Sequence, residues 1–387
     1  MKKFLSTLLG VAAPIFLAAQ IKITHGPWLC DMTSTGVTVV WTTDKPALSW
    51  VEIAEDNGNS FYQKEHKRHY ETVAGRRQAH KRVHAVRLKH LKPGTRYNYR
   101  IFSQEVVEWK YNDAVKYGDV AATNVFSRAP LRFTTFPEKG SDISFLVFND
   151  IHGRADYMAE LVKNEDFSTH DFVLFNGDMS SSVENSDQLF KDYIDTAVSL
   201  YASELPLIYN RGNHETRGRH ADFLAEYFPT NSKNFYQLYM VGDIACLVLD
   251  CGEDKPDNDI EYGNLADYDA YRVEESEWLR QVVASESFRN AAARIVFLHI
   301  PLGNGSWHGN LHLEEIFLPI LNEAGIDVMF SGHTHRYGFR EPNEKVRFPI
   351  LINDNQSYIR CNVTADKIKA EIVGPKGSTH THEFKIR

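Results

Sequence analysis

Five nearly unbroken apolar runs, each leading within a few residues to aspartate, asparagine or histidine, constrain this chain more than any other feature. They are Ile143 to Phe148, Phe172 to Phe175, Leu207 to Tyr209, Ile295 to Leu298 and Val328 to Phe330. A sixth run, Ile244 to Leu249, has the same character. Apolar runs without alternation suit strands covered on both faces, as in sheets flanked by helices. The first five lead into Asn149-Asp150-Ile151-His152, Asn176-Gly177-Asp178, Asn210-Arg211-Gly212-Asn213-His214-Glu215, His299-Ile300-Pro301 and Ser331-Gly332-His333-Thr334-His335. Ligands gather at the carboxyl ends of strands in α/β sheets, where loops on a rigid scaffold bring distant residues together. Carboxylate, amide and imidazole donors suit manganese, iron or zinc, and the absence of thiolates argues against a structural zinc knot. Glycines beside Asp178, Asn213 and His333 permit tight turns next to the donors.

The remaining sequence frames this core. A length of 387 residues predicts two domains. From Ile21 to about Phe136 the pattern is short β-runs between turns, such as Val37 to Thr42, Ala85 to Leu88 and Tyr97 to Ile101. Their alternation predicts one buried face per strand and hence two sheets packed face to face. Phe136-Pro137-Glu138-Lys139-Gly140 reads as a linker. Helical spacing appears over Asp187 to Tyr201 and Glu274 to Val283, with Ser276 to Leu279 on the inner face of the second. From about Phe348 the pattern returns to β-runs, with Gly374-Pro375-Lys376-Gly377 as a hairpin turn.

The first residues read as an export signal: Lys2 and Lys3, an apolar stretch from Phe4 to Leu17, and a cleavage site after Ala19. The apolar stretch is too short to span a bilayer, so the expectation is a secreted or periplasmic protein without stable membrane insertion. A formal charge of −8 speaks against a nucleic-acid partner. Export permits disulfides among Cys30, Cys246, Cys251 and Cys361, although Cys246 lies in an apolar run and reads as a buried thiol. His66, His69, His80, His84 and His90 read as solvated residues of the sandwich, and His380 and His382 as surface. The acidic stretch Glu253 to Asp269 reads as a solvated loop, and His312 as an outer neighbour of the site.

In order and spacing, the Asp-x-His, Gly-Asp, Gly-Asn-His-Glu, lone-His and Gly-His-x-His elements resemble the calcineurin-like metallophosphoesterases. Trp41-Thr42-Thr43, Leu91 to Tyr97, and His299-Ile300-Pro301 followed by Trp307-His308 narrow the likeness to purple acid phosphatases. After the export signal over 1–19, the resemblance implies a fibronectin-like β-sandwich over 20–136 and an α/β four-layer (αββα) metallophosphoesterase domain over 141–387. It implies two divalent or trivalent metal ions, of iron, manganese or zinc. Asp150, His152 and His335 would hold one, Asn213, His299 and His333 the other, and Asp178 would bridge them. The family chemistry would be hydrolysis of phosphate monoesters of small phosphorylated substrates, by attack of a metal-bound hydroxide. His214 would act as acid or charge stabiliser, oriented by Glu215. His308 would face the substrate. Arg211 reads equally as a phosphate ligand, by likeness to the phosphoprotein phosphatase branch, or as an exposed turn residue. Two departures stand out: Ser181 replaces the tyrosine of the purple enzymes, and His152 is a histidine they lack, which points to a non-purple site. A phosphodiesterase or nucleotide hydrolase on the same core, or a surface protein that binds without turnover, are the alternatives.

Overall fold

The computed structural model describes residues 20–124, 129–232 and 234–386. The expected signal peptide, 1–19, lies outside the described residues.

The amino-terminal region is a β-sandwich organised by one long strand, Gly36–Glu55. Its first part pairs antiparallel with the strands Ile23–Thr33 and Lys81–Lys89. Its second part, from Ala47, pairs with Arg96–Lys110 and Arg68–Tyr70. The register breaks between Thr42 and Ala47, across the segment that carries Pro46, a residue unable to donate to the ladder. One strand thereby passes from one layer to the other, so the two layers share a continuous hydrogen-bonded sheet.

The expectation of one buried face per strand holds for Lys81–Lys89, where His84, Val86 and Leu88 are buried between more exposed neighbours. It fails for the first half of Gly36–Glu55, which is buried throughout. Val37, Val39 and Trp41 fill the sandwich interior, whereas Val40, with Trp28 and Cys30, packs against the carboxy-terminal region. Trp28 Nε1 donates to the Tyr227 carbonyl at 2.9 Å across that contact. His84 also departs from expectation. It is buried 2.8 Å from Thr43 Oγ1 and beside the Trp41 ring, and burial pulls its pKa down to about 3. It is a neutral core histidine.

The carboxy-terminal region contains two six-stranded sheets. In the first, Leu207–Asn210, Phe172–Asn176 and Ile143–Phe148 run parallel, and Tyr358–Val363 pairs antiparallel with the last of these. In the second, Ile244–Leu249, Ala293–Leu298, Val328–Ser331 and Ile350–Ile352 run parallel. Their inner faces meet in one core, where the Phe145 ring stacks on Phe172 at 4.7 Å and meets Phe297 edge-on at 5.7 Å. Burying each such ring contributes roughly 1.5–3 kcal/mol. Outer faces carry helices. Phe148 and Phe175 pack with Met158, Leu189 and Tyr193 on one side; Leu247 and Leu298 pack with Leu279, Leu313 and Phe317 on the other. The result is the four-layer order helix, sheet, sheet, helix. The expected helix from Asp187 is present but wound unevenly, with π-helical turns at Phe190–Ile194 and Val198–Ala202. The second expected helix runs Tyr268–Ala284, with Ser276 and Leu279 on its buried face.

All four cysteines are buried free thiols, so the chain carries no disulfide among them. Among the described residues, no helix is long and apolar enough to cross a membrane.

Candidate metal centre

Five parallel strands, three from the first sheet and two from the second, end at the same edge of the molecule, and their following loops interlock. Asp150 N donates to the Gly177 carbonyl at 3.0 Å, His152 N to the Asp178 carbonyl at 3.0 Å, and Gly332 N to the His299 carbonyl at 2.9 Å. The loops approach so closely that a Cβ on Gly212 would lie 2.2 Å from Asp178 Oδ1. Asp150, His152, Asp178, His333 and His335 all have left-handed backbone, with φ of 53°, 49°, 56°, 67° and 56°. Such conformations cost of order 1–3 kcal/mol each for a residue with a Cβ. The cross-loop hydrogen bonds hold them there.

Asp150, His152, Asp178 and His299 each have one polar atom fixed by the protein and another turned inward. Asp150 Oδ2 accepts from Asn149 Nδ2 at 2.6 Å and from His333 N at 2.9 Å. Its Oδ1 is buried without a hydrogen-bond partner. Asp178 Oδ1 accepts from His214 N at 3.0 Å, while its Oδ2 lies 3.0 Å from His299 Nε2 and 3.9 Å from His152 Nε2. His299 Nδ1 donates to the Asn176 carbonyl at 2.7 Å, and its Nε2 is again buried and unpartnered. His335 Nε2 faces Asp150 Oδ1 at 3.2 Å and His152 Nε2 at 3.0 Å. His333 Nδ1 lies 3.1 Å from Asn213 Oδ1. All seven predicted donors therefore meet in one place.

They fall into two overlapping sets, Asp150, His152, Asp178 and His335 on one side and Asp178, His299 and His333 on the other, with Asp178 common to both. Two buried carboxylates among imidazoles make strong local fields. Burial opposes the His299 imidazolium, yet Asp178 and Asp150 push its pKa up to about 10. Burial and then His299 pull His333 down to about 4. Orphaned Asp150 Oδ1 and His299 Nε2, together with an oxygen and nitrogen donor set, fit a pair of borderline divalent or trivalent cations. Donors whose other atoms are already tethered are oriented for that purpose.

The profile described as calcineurin-like phosphoesterase matches residues 143–337, which include all five loops. This chain belongs to that family. Residues 28–115 match the purple acid phosphatase N-terminal domain. Among curated relatives, purple acid phosphatase 22 of Arabidopsis thaliana is 24% identical over 216 residues, covering 53% of this chain and 45% of that protein. Purple acid phosphatase 18 of the same plant is 24% identical over 211 residues, covering 50% and 44%. The chain thus spans about half the length of the curated relatives it matches. The purple acid phosphatase PPD1 from yellow lupin (Lupinus luteus) seeds shares the fold, with a TM-score of 0.64 at 15% identity over 93% of this chain and 73% of that one.

The calcineurin-like core is lined by a further histidine. His214 Nε2 lies 3.9 Å from Asp178 Oδ2, and its Nδ1 lies 2.9 Å from the Ser181 carbonyl. That carbonyl, and not Glu215, orients the ring. Glu215 is fully buried and accepts from the backbone N–H of Asp178, Ser180 and Gly212 at 2.8, 3.0 and 3.0 Å, so its work is to tie two of the loops together. Burial and then Asp178 push its pKa up to about 7. Ser181 has a second use: its Oγ lies 3.2 Å from His152 Nδ1. The residue that replaces the tyrosine of the purple enzymes therefore supports the histidine those enzymes lack.

Two further candidates are engaged outside the donor set. Arg211 is not an exposed turn residue: its guanidinium pairs with buried Asp250 at 2.7 Å and lies over the Phe235 ring at 4.8 Å. His308 makes none of the contacts of the centre; its Nε2 lies 2.8 Å from Asp269 Oδ2. The stretch from Glu253 is also better anchored than a solvated loop. Glu253 is fully buried and accepts from Thr216 Oγ1, Arg217 and Tyr262.

Several supporting residues escaped sequence reasoning. Asp192, on the first π-helical segment, accepts from Ser180 Oγ at 2.8 Å. Arg154 donates to the Ile151 and Asp150 carbonyls at 2.9 and 2.8 Å. Neither carries a signal beyond its place near a recognisable element. His382 and His380 are on the terminal hairpin as expected, where His382 Nε2 meets Tyr337 Oη at 2.8 Å.

Proposed function

We propose that this chain is an exported hydrolase of phosphate monoesters, with a leader over 1–19, a sandwich domain over 20–136 and a phosphoesterase domain over 141–387. The observation that supports it best is the convergence of seven donors, with Asp150 Oδ1 and His299 Nε2 buried and unpartnered among them, beside a histidine that is itself outside the donor set. Asp150, His152 and His335 would hold one ion and Asn213, His299 and His333 the second, with Asp178 shared between them. When bound, such a pair acidifies water and neutralises phosphate oxygens.

The protein's own part is positional and protonic. Asp178 and Asp150 are each pinned through one oxygen by a backbone N–H of a neighbouring loop, so their other oxygens stay directed inward. His214 donates its Nδ1–H to the Ser181 carbonyl, which presents Nε2 toward the centre. As imidazolium, His214 passes the Nε2 proton to the ester oxygen as the phosphorus–oxygen bond breaks, and the product leaves as a neutral alcohol. With Ser181 Oγ beside His152, the centre has no tyrosine at that position, which supports a non-purple site.

Purified mature protein loaded with manganese, zinc or iron is expected to hydrolyse an aryl phosphate monoester faster than the matched diester. Folded, metal-loaded protein that cleaves neither substrate excludes the reading; preferential cleavage of the diester reassigns the substrate class.

A further inference from the structure

Outside the centre, Asp269, His308 and His312 bring one carboxylate and two imidazoles within 4.8 Å of one another. His308 and His312 occupy i and i+4 on the first turns of the helix His308–Glu323, and Asp269 stands at the start of the helix Tyr268–Ala284. Two histidines at this spacing project from one helical face, a standard way to present a pair of nitrogen donors to zinc. His308 Nε2 and His312 Nδ1 both turn to the same carboxylate, at 2.8 and 3.0 Å.

The contact is more than an ordinary ion-pair cluster in one respect. His312 Nδ1 is buried and makes no hydrogen bond, although it is 3.0 Å from Asp269 Oδ1. The distance suits a hydrogen bond; the direction does not. A nitrogen so placed has its lone pair available to a third body between ring and carboxylate. Arg272 Nη1 donates to Asp269 Oδ1 at 2.9 Å and fixes the carboxylate plane, with Oδ2 turned to His308 Nε2 at 2.8 Å. Two nitrogens and one oxygen, with open positions for water, are the three-ligand arrangement zinc accepts.

We propose that Asp269, His308 and His312 form a third metal site, selective for zinc-like cations and separate from the dinuclear centre. Its place gives it a structural role. Buried Arg272 joins Asp269 to the carbonyls of Cys251 and Glu253, and Glu253 in turn holds Thr216 and Arg217, which follow His214. A cation here clamps two helices beneath the rim of the centre.

Zinc bound per chain, counted after equilibrium dialysis, tests this. The full chain is expected to hold one zinc more than His312→Ala and one more than Asp269→Asn, with native circular dichroism in both. Asp178→Asn, which reports on the first centre alone, is expected to retain one zinc and to lose it when His312→Ala is added. Equal counts in the full chain and a folded His312→Ala, or no zinc retained by Asp178→Asn, overturn the proposal. Loss of the first centre is read in Asp178→Asn and loss of the third site in His312→Ala, so the two failures are distinct.

Discussion

The two halves of the proposed centre are built alike in donors and unlike in exposure. On one side, His299 is fully buried and Asp178 is 2% exposed. On the other, Asp150 is equally enclosed but His335 is 45% exposed and His152 16%. The buried half rests on inner strands of both sheets, so its geometry is set by the core. The open half depends on a loop that reaches past Gly332 to the surface. Burial lowers the local dielectric and slows exchange with water, whereas an exposed donor offers an entry path. The difference implies one tightly held ion and one exchangeable ion.

The largest expected effect comes from the residue shared by both halves. Asp178→Asn should abolish ion binding at both and bring turnover to background, as read by metal analysis beside a phosphatase assay. His214→Ala should keep both ions and lower kcat by about 10²–10⁴-fold; retained turnover would remove His214 from the mechanism. Chelator dialysis compares the halves directly. One equivalent should leave early and the second late, and His335→Ala should hasten only the early one. Simultaneous release would break the comparison.

Two smaller effects separate support of the centre from support of the fold. Glu215→Ala leaves three buried N–H groups unsatisfied and should cost more than about 3 kcal/mol in urea unfolding. Glu165, remote from the centre, accepts from His170, Arg360 and Tyr358. Burial raises its pKa, but these partners together hold it well below the usual carboxylate range. Its folded pKa is depressed, so the stability it supplies is present above the unfolded value of about 4.3 and is lost as pH falls through the folded one. Glu165→Gln should therefore destabilise by about 1–2 kcal/mol at neutral pH, and the gap from the parent chain should shrink at acidic pH.

The legibility of each residue followed its range of dependence. Asp150, His152, Asp178, Asn213, His299, His333 and His335 were readable because each follows a strand directly, and strand ends gather by topology alone. Glu215 and Arg211 also follow a strand closely and His308 opens the next helix, but their partners are ones the sequence does not pair with them: three backbone N–H groups, Asp250 and Asp269. His84 shares the buried face of Lys81–Lys89 with Val86 and Leu88, so alternation itself carries the signal for its burial. Alternation told which residues face inward together, while burial of the whole Gly36–Thr43 segment came from a second surface supplied by the other region.

That second surface bears on how the molecule can be handled. Trp28, Cys30 and Val40 look inward only because the α/β region covers them. Cutting the polypeptide at Pro137 to Gly140 would strip that cover, leaving one fragment with a greasy flank and the other with Tyr227 and its neighbours laid bare. Neither piece is then a self-sufficient building block, and swapping in a foreign front half would require matching its outer wall as well as its inner one.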